Sequence, residues 1–387
     1  MNKFIQQKLR EGLITENRVP MNIPIPEDII SIKDIFVKNG HKLFVVGGAV
    51  RDAILGKTPK DWDLATDAVP DKVEQMMQRA GLKTLPTGKA FGVINVFTPN
   101  GEEFEVATFR KDLGSDGRRP DEVEFTTIDQ DVKRRDLTIN ALFFDIDTKE
   151  VVDLVGGIED IKNGVVRTVG NPTDRFTEDR LRILRAIRFA GRFGSELNPE
   201  VEAALKNDAS LEGISGERIR DEFIKGLRTS KSTVHFLGLI DKFNLFDWVF
   251  PNLNVNKRFI EDKDPLVIIA TLLKDNSIDI LPKALNGLKF SADEIKIIVF
   301  LIALKELNVD TALSLKTMMN KTNVTSDQIR NFGSREGVMT QLLDALEEFQ
   351  FSVSGKQVQD ETGLKPSPEL GQEIRRREQE NFEKLLA

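Results

Sequence analysis

The first half of the chain alternates short apolar runs with turn residues and helix-forming stretches. The apolar runs have the length of β-strands and are bounded by Gly, Pro, Asn or Asp. They predict strands at Leu43–Val46, Val93–Phe97, Phe104–Phe109 and Leu142–Ile146. Between them, helical spacing of apolar residues predicts helices at Asp71–Ala80 and Gln130–Asn140. This mixture of signals is typical of an α/β domain.

From about Thr177 onward the pattern changes, because apolar residues recur with the period of a helix and β-branched clusters become rare. The spacing predicts helices at Glu178–Phe193, Pro199–Asn207, Gly216–Leu227, Ser232–Ile240, Pro265–Leu273, Asp293–Leu307, Asp310–Met319, Ser326–Ser334, Met339–Glu348 and from about Pro368. We therefore expect an α/β head followed by an all-α body.

Composition narrows the class of protein. Hydrophobic residues make up 40% and charged residues 30% of the 387 positions, the balance of a globular protein. No apolar stretch approaches the roughly 18 residues of a membrane span, so we expect no membrane partner. The N-terminal region is polar and carries Glu11 and Glu16, which predicts neither a signal nor a transit peptide and favours a cytoplasmic location. The net charge of −7 still permits local basic stripes.

The chain has few residues that bind soft metals. It contains no cysteine, which excludes disulfides, thiolate zinc sites and cysteine nucleophiles. His41 and His235 are the only histidines, and they form no paired motif. A metal would therefore be held by oxygen ligands, which points to Mg²⁺ or a similar hard cation.

The first motif is Gly47-Gly48-Ala49-Val50-Arg51-Asp52, directly after the predicted strand Leu43–Val46 and opening a helix that Gly56 ends. Two glycines at a strand-to-helix turn let backbone N–H groups approach an anion. Arg51 would lie one turn into the helix, where it can contact a phosphate. An ordinary tight turn with a surface arginine is the alternative interpretation.

The second motif is Asp61-Trp62-Asp63. On a strand, residues i and i+2 share a face, so both carboxylates would point the same way while Trp62 points into the fold. Two like charges this close repel unless a cation lies between them. Two-metal phosphoryl transfer requires such an arrangement. A solvated aspartate pair that caps the next turn is the alternative.

Together these motifs resemble the head of the class II tRNA nucleotidyltransferase and bacterial poly(A) polymerase family, a branch of the polymerase-β-like nucleotidyltransferases. The resemblance continues in order along the chain, through Glu105–Arg110, the Asp116–Pro120 loop of the CCA-adding members, Arg134–Ala141, the hinge-like Asp153, Gly157 and Arg167, and the Glu178–Arg182 nucleotide-selecting motif. It implies a polymerase-β-like α/β head, with a mixed or antiparallel sheet and helices, ahead of the all-α body.

The resemblance also implies roles for individual residues. Asp61 and Asp63 would be catalytic and hold two Mg²⁺ ions, with Glu105 as a third carboxylate. The predicted nucleotide-binding residues are Gly48, Arg51, Arg135, Asp136, Asp179, Arg182, Arg185 and Arg188. Arg135 is the preferred triphosphate contact, and Asp136 its ribose or structural partner.

The Glu178–Arg182 motif has its own hydrogen-bonding logic. On one helix, Asp179, Arg182 and Arg185 would line one stripe. A carboxylate only accepts hydrogen bonds and a guanidinium only donates them. Cytosine and adenine both present an amino donor beside a ring acceptor, whereas uracil and guanine present the reverse. The Asp179–Arg182 pair therefore predicts selection of C and A, unless it is an ordinary ion pair on a helix surface.

We therefore expect this protein to add CCA to the 3′ end of tRNA from CTP and ATP. We expect it to need no nucleic-acid template and no protein partner. We expect an extension at 1–30, the nucleotidyltransferase head at 31–176, a nucleotide-selecting neck at 177–250, and a helical body and tail that bind tRNA at 251–387.

Several other functions stay open at this point. Within the same chemistry, the alternatives are a poly(A) polymerase and an enzyme that adds only A or only CC. The complete Asp116–Pro120 loop argues against CC addition alone. A non-catalytic RNA-binding module is disfavoured because both aspartates are present. The long helical body speaks against a nucleotidyltransferase for small molecules.

Overall fold

The computed structural model describes residues 17–114 and 122–386. The predicted loop at Asp116–Pro120 lies outside the described residues. The chain divides into two compact units, the first ending at Ile214 and the second beginning at Ser215. This division falls inside the predicted neck at 177–250, and the four domain bounds stay predictions. Among the described residues, no helix is long and apolar enough to cross a membrane.

A mixed β-sheet forms the centre of the first unit. The strands are β1 Arg18–Pro20, β2 Leu43–Val46, β3 Asp63–Thr66, β4 Lys83–Gly88, β5 Val93–Phe97, β6 Glu103–Thr108, β7 Arg110–Leu113, β8 Glu122–Phe125, β9 Phe143–Asp145 and β10 Glu150–Val152. Eight of them form one sheet in the order β1-β10-β9-β2-β3-β6-β5-β4, while β7 and β8 form a separate hairpin. Within the sheet, β3 and β6 run parallel, and the other paired strands are antiparallel.

Helices complete the first unit. They are α1 Glu27–Lys38, α2 Gly48–Ile54, α3 Pro70–Arg79, α4 Ile128–Asp131, α5 Gly157–Asn163, α6 Pro172–Glu178, α7 Leu181–Phe193 and α8 Pro199–Asn207. Short 3₁₀ turns lie at Lys89–Phe91, Val132–Arg134 and Thr138–Asn140. The expected α/β head with a mixed sheet is confirmed.

The second unit is helical in all its described elements. They are α9 Gly216–Thr229, α10 Thr233–Lys242, α11 Phe246–Val249, α12 Pro265–Leu273, α13 Leu281–Gly287, α14 Ala292–Leu304, α15 Ala312–Met319, α16 Ser326–Arg335, α17 Thr340–Glu348, α18 Gly355–Thr362 and α19 Pro368–Lys384. The expected helical body is confirmed, and helix α12 has the predicted bounds. The short helices α11, α13 and α18 were not predicted.

Three phenylalanine rings form the centre of the core beneath one face of the sheet. Phe44, Phe109 and Phe143 lie with ring centroids 5.6–6.4 Å apart in tilted and edge-on arrangements, which aromatic quadrupoles favour. Each of the three is at most 4% exposed. Val46 and Ala65 pack in the same cluster. This rigid apolar layer supports the glycine turn that follows β2 and the aspartates at the start of β3.

The predicted helix at Gln130–Asn140 is wrong. Helix α4 ends at Asp131, and Arg135 has an extended backbone conformation. The backbone of this segment bonds to another part of the chain, because Thr138 N–H donates to the Arg167 carbonyl and Val169 N–H donates to the Asp136 carbonyl. Those bonds replace the bonds that a helix would make, so apolar spacing alone gave the wrong period.

The hinge-like residues Asp153, Gly157 and Arg167 close one loop of the head. The Asp153 carboxylate accepts hydrogen bonds from four backbone N–H groups, at Val155, Gly156, Gly157 and Ile158, over 2.8–3.1 Å. Arg167 donates to Asp160 and to the Val155 carbonyl. A Cβ at position 157 would lie 2.2 Å from the Thr138 carbonyl oxygen, so this close approach requires glycine.

A second close approach leads to a stability prediction in the helical unit. A Cβ on Gly226 in α9 would lie 2.2 Å from the ring of Phe236, which is 1% exposed. We expect Gly226→Ala to lower the free energy of unfolding by about 1–3 kcal/mol through overpacking. Gly238 in α10 is the matched control, because no atom lies within 4 Å of its added Cβ. Gly238→Ala should be neutral or stabilising by up to about 1 kcal/mol, since alanine favours helix. Equal denaturation midpoints for the two variants would contradict this packing.

Candidate functional site

The glycine turn has the geometry predicted for it. Gly47 follows β2 with φ 69° and ψ −124°, a conformation that favours glycine, and α2 begins at Gly48. The Gly47 N–H donates to the Leu142 carbonyl, which fixes the turn against the chain that leads into β9. The residue pair Val46 and Asp63 lies in register between β2 and β3. The turn and the aspartate motif are therefore neighbours at one end of the sheet.

The aspartate motif differs from the prediction in one respect. Strand β3 begins at Asp63, so Asp61 and Trp62 precede the strand. Trp62 is half-buried, and both aspartates are exposed to solvent. We predicted that Asp61 and Asp63 share one face because they alternate along a strand. That reason is wrong, because only Asp63 belongs to the strand. The two charges are nevertheless close enough to interact electrostatically.

Opposing effects act on the Asp63 carboxyl. Neighbouring protein removes part of its hydration, which raises its pKa. The positive charge of Arg135 lowers that pKa, while the negative charge of Asp61 raises it, and the net result lies above the usual range. A cation beside this pair would relieve the repulsion. The site thus combines two carboxylates with an arginine that only partly compensates them.

Arg135 lies on the phenylalanine layer beside these aspartates. Its guanidinium carbon is 4.5 Å from the centroid of the Phe143 ring. Phe143 is in register with Val46, and Val46 is in register with Asp63, so the three side chains share one row and one face of the sheet. Burial lowers the pKa of Arg135, although a guanidinium stays protonated at neutral pH.

Asp136 pairs with Arg185, one of the predicted nucleotide-binding arginines on α7. Arg185 donates through Nε and Nη2 to Asp136 Oδ2, both at 2.6 Å. Burial works to raise the pKa of the Asp136 carboxyl, but Arg185 and the Leu137 N–H hold it below its usual value. Arg188 lies 4.3 Å from the centroid of the Phe189 ring.

The nucleotide-selecting motif is not one continuous helix. Asp179 has an extended backbone, with φ −151° and ψ 103°, between α6 and α7. Its Oδ1 accepts a hydrogen bond from the Leu181 N–H at 3.0 Å. Aspartate commonly interrupts a helix in this way, because its side chain competes for backbone donors. The predicted stripe through Asp179 was therefore wrong, although Arg182 and Arg185 remain neighbours on α7.

Arg182 is held by acceptors from two elements. Its Nη1 donates to Glu178 Oε2 at 2.8 Å and to the Arg175 carbonyl at 3.2 Å. Its Nη2 donates to the Arg134 carbonyl at 3.1 Å. The structure thus brings Arg182 against the segment that carries Arg135.

Arg51 is more enclosed than predicted. The residue is 5% exposed, and it donates to Asp52 and to Asn140 Oδ1. Its guanidinium carbon also lies 4.9 Å from the Phe189 ring centroid on α7. Arg192 donates to Asp52 at 2.9 Å from the same helix. Arg51 therefore connects the glycine-turn helix to α7, and its phosphate contact stays a prediction.

Glu105 lies on the strand next to the aspartates. Leu64 and Val106 are in register between β3 and β6, so Asp63 and Glu105 each precede a paired position. Glu105 is exposed. Within residues 17–114 and 122–386, no three His, Asp or Glu side chains are grouped closely enough to hold a metal. Its role as a third carboxylate stays a prediction.

Two carboxylates nonetheless suit magnesium. Mg²⁺ is usually held by one or two protein carboxylates, with substrate phosphates and water completing its shell. Asp61 and Asp63 supply such a donor set, and a bound cation would offset the loss of hydration that raises the pKa of Asp63.

Asp131, Arg175 and Arg192 contribute contacts at the site, although no sequence motif contained them. Asp52 and Asn140 lay within the motifs but had been given no role of their own. Asp131 had a readable signal, since it precedes Arg135 by four positions, a spacing of helical ion pairs. The ion pair between Asp52 and Arg192 had no signal in the sequence, because 140 residues separate the two partners.

Comparisons with known families agree with this geometry. Residues 43–167 match the poly(A) polymerase head domain. Residues 194–256 match the domain described as a probable RNA and SrmB-binding site of polymerase A. The fold and site thus define a nucleotidyltransferase with a poly(A) polymerase type of head.

Individual relatives narrow the family further. A CCA-adding enzyme of Ligilactobacillus salivarius is 33% identical over 369 residues, which cover 88% of each chain. The CCA-adding enzyme of Bacillus subtilis is 47% identical over 197 residues, but this match spans 50% of the present chain and only about half, 48%, of that relative. The Thermotoga maritima CCA-adding enzyme complexed with tRNA has a similar fold, with a TM-score of 0.69, 20% identity, and coverage of 96% of this chain and 98% of that one. The present chain belongs to the family of CCA-adding enzymes, which are tRNA nucleotidyltransferases.

The charge balance at Asp63 leads to a stability prediction. A carboxyl whose pKa is raised by folding destabilises the folded state at neutral pH, and this penalty disappears as the pH falls and the group is protonated. In EDTA at neutral pH, we expect Asp63→Asn to unfold at a higher temperature than the parent protein. Mg²⁺ should raise the midpoint of the parent more than that of the variant.

The control for this measurement is Glu196→Gln, which removes an exposed carboxylate elsewhere in the first unit. It should leave both the midpoint in EDTA and the response to Mg²⁺ close to those of the parent. A lower midpoint for Asp63→Asn in EDTA would show that Asp63 is already well compensated by the protein.

Proposed function

We propose that this protein adds CCA to the 3′ end of tRNA from CTP and ATP, without a nucleic-acid template, by nucleotidyl transfer with two Mg²⁺ ions. The observation that carries the proposal is the row formed by Asp63, Val46 and Phe143, on which Arg135 lies beside the carboxylates. The glycine turn at Gly47 directly follows Val46 of this row. An anionic triphosphate and the cations that accompany it suit such a site.

Each group has a distinct part in this reaction. Bound at Asp61 and Asp63, the metal ions would activate the attacking 3′-hydroxyl and neutralise the leaving pyrophosphate. Arg135 would orient the triphosphate, because a guanidinium matches the geometry of phosphate oxygens. The N–H groups at the start of α2 would add donors near Gly48. The new bond joins the 3′-oxygen to the α-phosphorus as the bond to the β-phosphate oxygen breaks.

Asp179 and Arg182 would select the base. The carboxylate accepts from the amino group of cytosine or adenine, and the guanidinium donates to the adjacent ring nitrogen. Glu178 and the Arg134 carbonyl hold Arg182, which limits the orientations of its guanidinium. Arg182 is bonded to the segment that carries Arg135. The residues that bind the base and the triphosphate would therefore be held in a fixed relative position.

The decisive assay supplies single nucleotides to a tRNA that lacks its 3′ CCA. CTP alone should extend it by CC, and CTP with ATP should complete CCA. UTP and GTP should be used roughly 10–100-fold less efficiently, since each mispaired base loses about 1–3 kcal/mol. Repeated addition of A would instead identify a poly(A) polymerase, and arrest after CC or addition of A alone would identify a partial enzyme.

A substitution tests the proposed metal ligands. Asp61→Ala should lower nucleotide incorporation by at least about a thousandfold, because several kcal/mol of charge stabilisation depend on the metals. Binding of tRNA, measured by filter retention, should stay close to that of the parent. Asp34→Ala is the control, since Asp34 is an exposed aspartate on α1. Substantial activity in the Asp61→Ala variant would refute the two-metal assignment.

A further inference from the structure

A buried carboxylate contacts Arg135, the residue proposed to orient the triphosphate. Asp131, at the end of α4, is 1% exposed. An ionised carboxylate removed from water is costly unless several donors compensate it. Asp131 belongs to none of the sequence motifs. The groups that contact the Asp131 carboxylate indicate its role.

Two arginines and one backbone group converge on Asp131. Arg135 donates through Nε to Oδ2 at 3.1 Å, and its Nη2 lies 3.0 Å from the same oxygen in an ion pair. Arg134 donates to Oδ1 at 2.8 Å, and the Arg110 N–H donates to the same oxygen at 3.1 Å. The Arg110 N–H belongs to the first residue of β7, so the position of the carboxylate is tied to the backbone as well as to the arginines.

The contact with Arg135 fixes an orientation as well as a charge. Nε and one terminal nitrogen face a single oxygen of Asp131, while the flat guanidinium packs on the Phe143 ring. These contacts restrict the guanidinium on one edge and one face. Its other terminal nitrogen can then serve a ligand, and the charge of Arg135 already interacts with that of Asp63.

We propose that Asp131 is a positioning residue that orients Arg135 toward the triphosphate of the incoming nucleotide. This inference rests on the proposed function, because it assumes that Arg135 contacts the nucleotide. Asp131 itself would touch no substrate. Its loss would leave Arg135 charged but free to adopt other rotamers, and orientation energy would be lost on binding.

The test measures CTP binding to the full chain by isothermal titration calorimetry with Mg²⁺ and without tRNA, so that no turnover occurs. Asp131→Asn should raise the Kd for CTP by about tenfold, the effect of losing a hydrogen bond to a charged group. Arg135→Ala should raise it at least as much. The double variant should bind no more weakly than Arg135→Ala, because a residue that acts through Arg135 has no effect once Arg135 is gone.

The control is Asp262→Asn in the helical unit. The Asp262 side chain is 5% exposed and bonds to Arg335 at 2.9 Å, so its loss also removes a buried carboxylate from an arginine. We expect a lower unfolding temperature but an unchanged Kd for CTP. If Asp131→Asn behaves in the same way, the role of Asp131 is structural only and the positioning proposal is overturned.

Further outcomes separate this proposal from the proposed function. Additive effects of Asp131→Asn and Arg135→Ala would overturn the positioning role while leaving Arg135 as a nucleotide contact. An unchanged Kd in Arg135→Ala would overturn both the triphosphate contact and the role of Asp131. If Asp131→Asn does not fold, Arg135→Lys tests the same point. It keeps the charge but cannot form the two-nitrogen contact, and a parental Kd in that variant would show that orientation by Asp131 is not needed.

Discussion

The charge balance at Asp63 links the exposed and the buried charged groups of the head. The two carboxylates lie at the start of a strand, and partial loss of hydration raises the pKa of Asp63 in the direction of the neutral acid. Arg135 opposes this shift but is itself buried against Phe143 and needs an anion of its own. Asp131 provides that anion. A series of alternating charges thus leads from Asp61 and Asp63 through Arg135 to the buried Asp131.

This charge arrangement depends on an irregular segment of backbone. Residues after Asp131 leave the helix, and the Thr138 and Val169 N–H groups form bonds between this segment and the chain at 167–169. Because those bonds satisfy the backbone, Arg134 and Arg135 can turn back toward Asp131 while Asp136 turns toward Arg185 on α7. A continuous helix would also keep Arg134 and Arg135 on the face of Asp131, but its backbone would bond within the helix rather than to the chain at 167–169. The irregular backbone therefore fixes this charged segment against another part of the head.

Local sequence patterns were sufficient for some regular elements and for the glycine turn. The apolar run of β2, the two glycines and the bounds of α12 carry their information in neighbouring residues, and the structure agrees with them. The resemblance to a known family supplied the order of the site motifs. The failures arose where distant groups compete for the backbone. Asp179 ended a helix with its own side chain, and the segment after Asp131 bonded to residues about 30 positions away. The periodicity of apolar residues carries no information about such competition for backbone hydrogen bonds.

Helix α7 illustrates how the head determines the orientation of the residues that would read a base. Arg182 bonds to the Arg134 carbonyl, Arg185 to Asp136, and Arg192 to Asp52, so partners from the head recur along the helix. Phe189, which lies on the same helix, also packs near Arg51. Each arginine has several rotatable bonds, and a single ion pair would restrict it only weakly. Several ion pairs along one rigid helix restrict the arginines more strongly, because any rotation of the helix would break all of these pairs at once. The acidic groups of the head thereby limit the rotation of α7, and the position of Arg182 follows from contacts made at both ends of the helix.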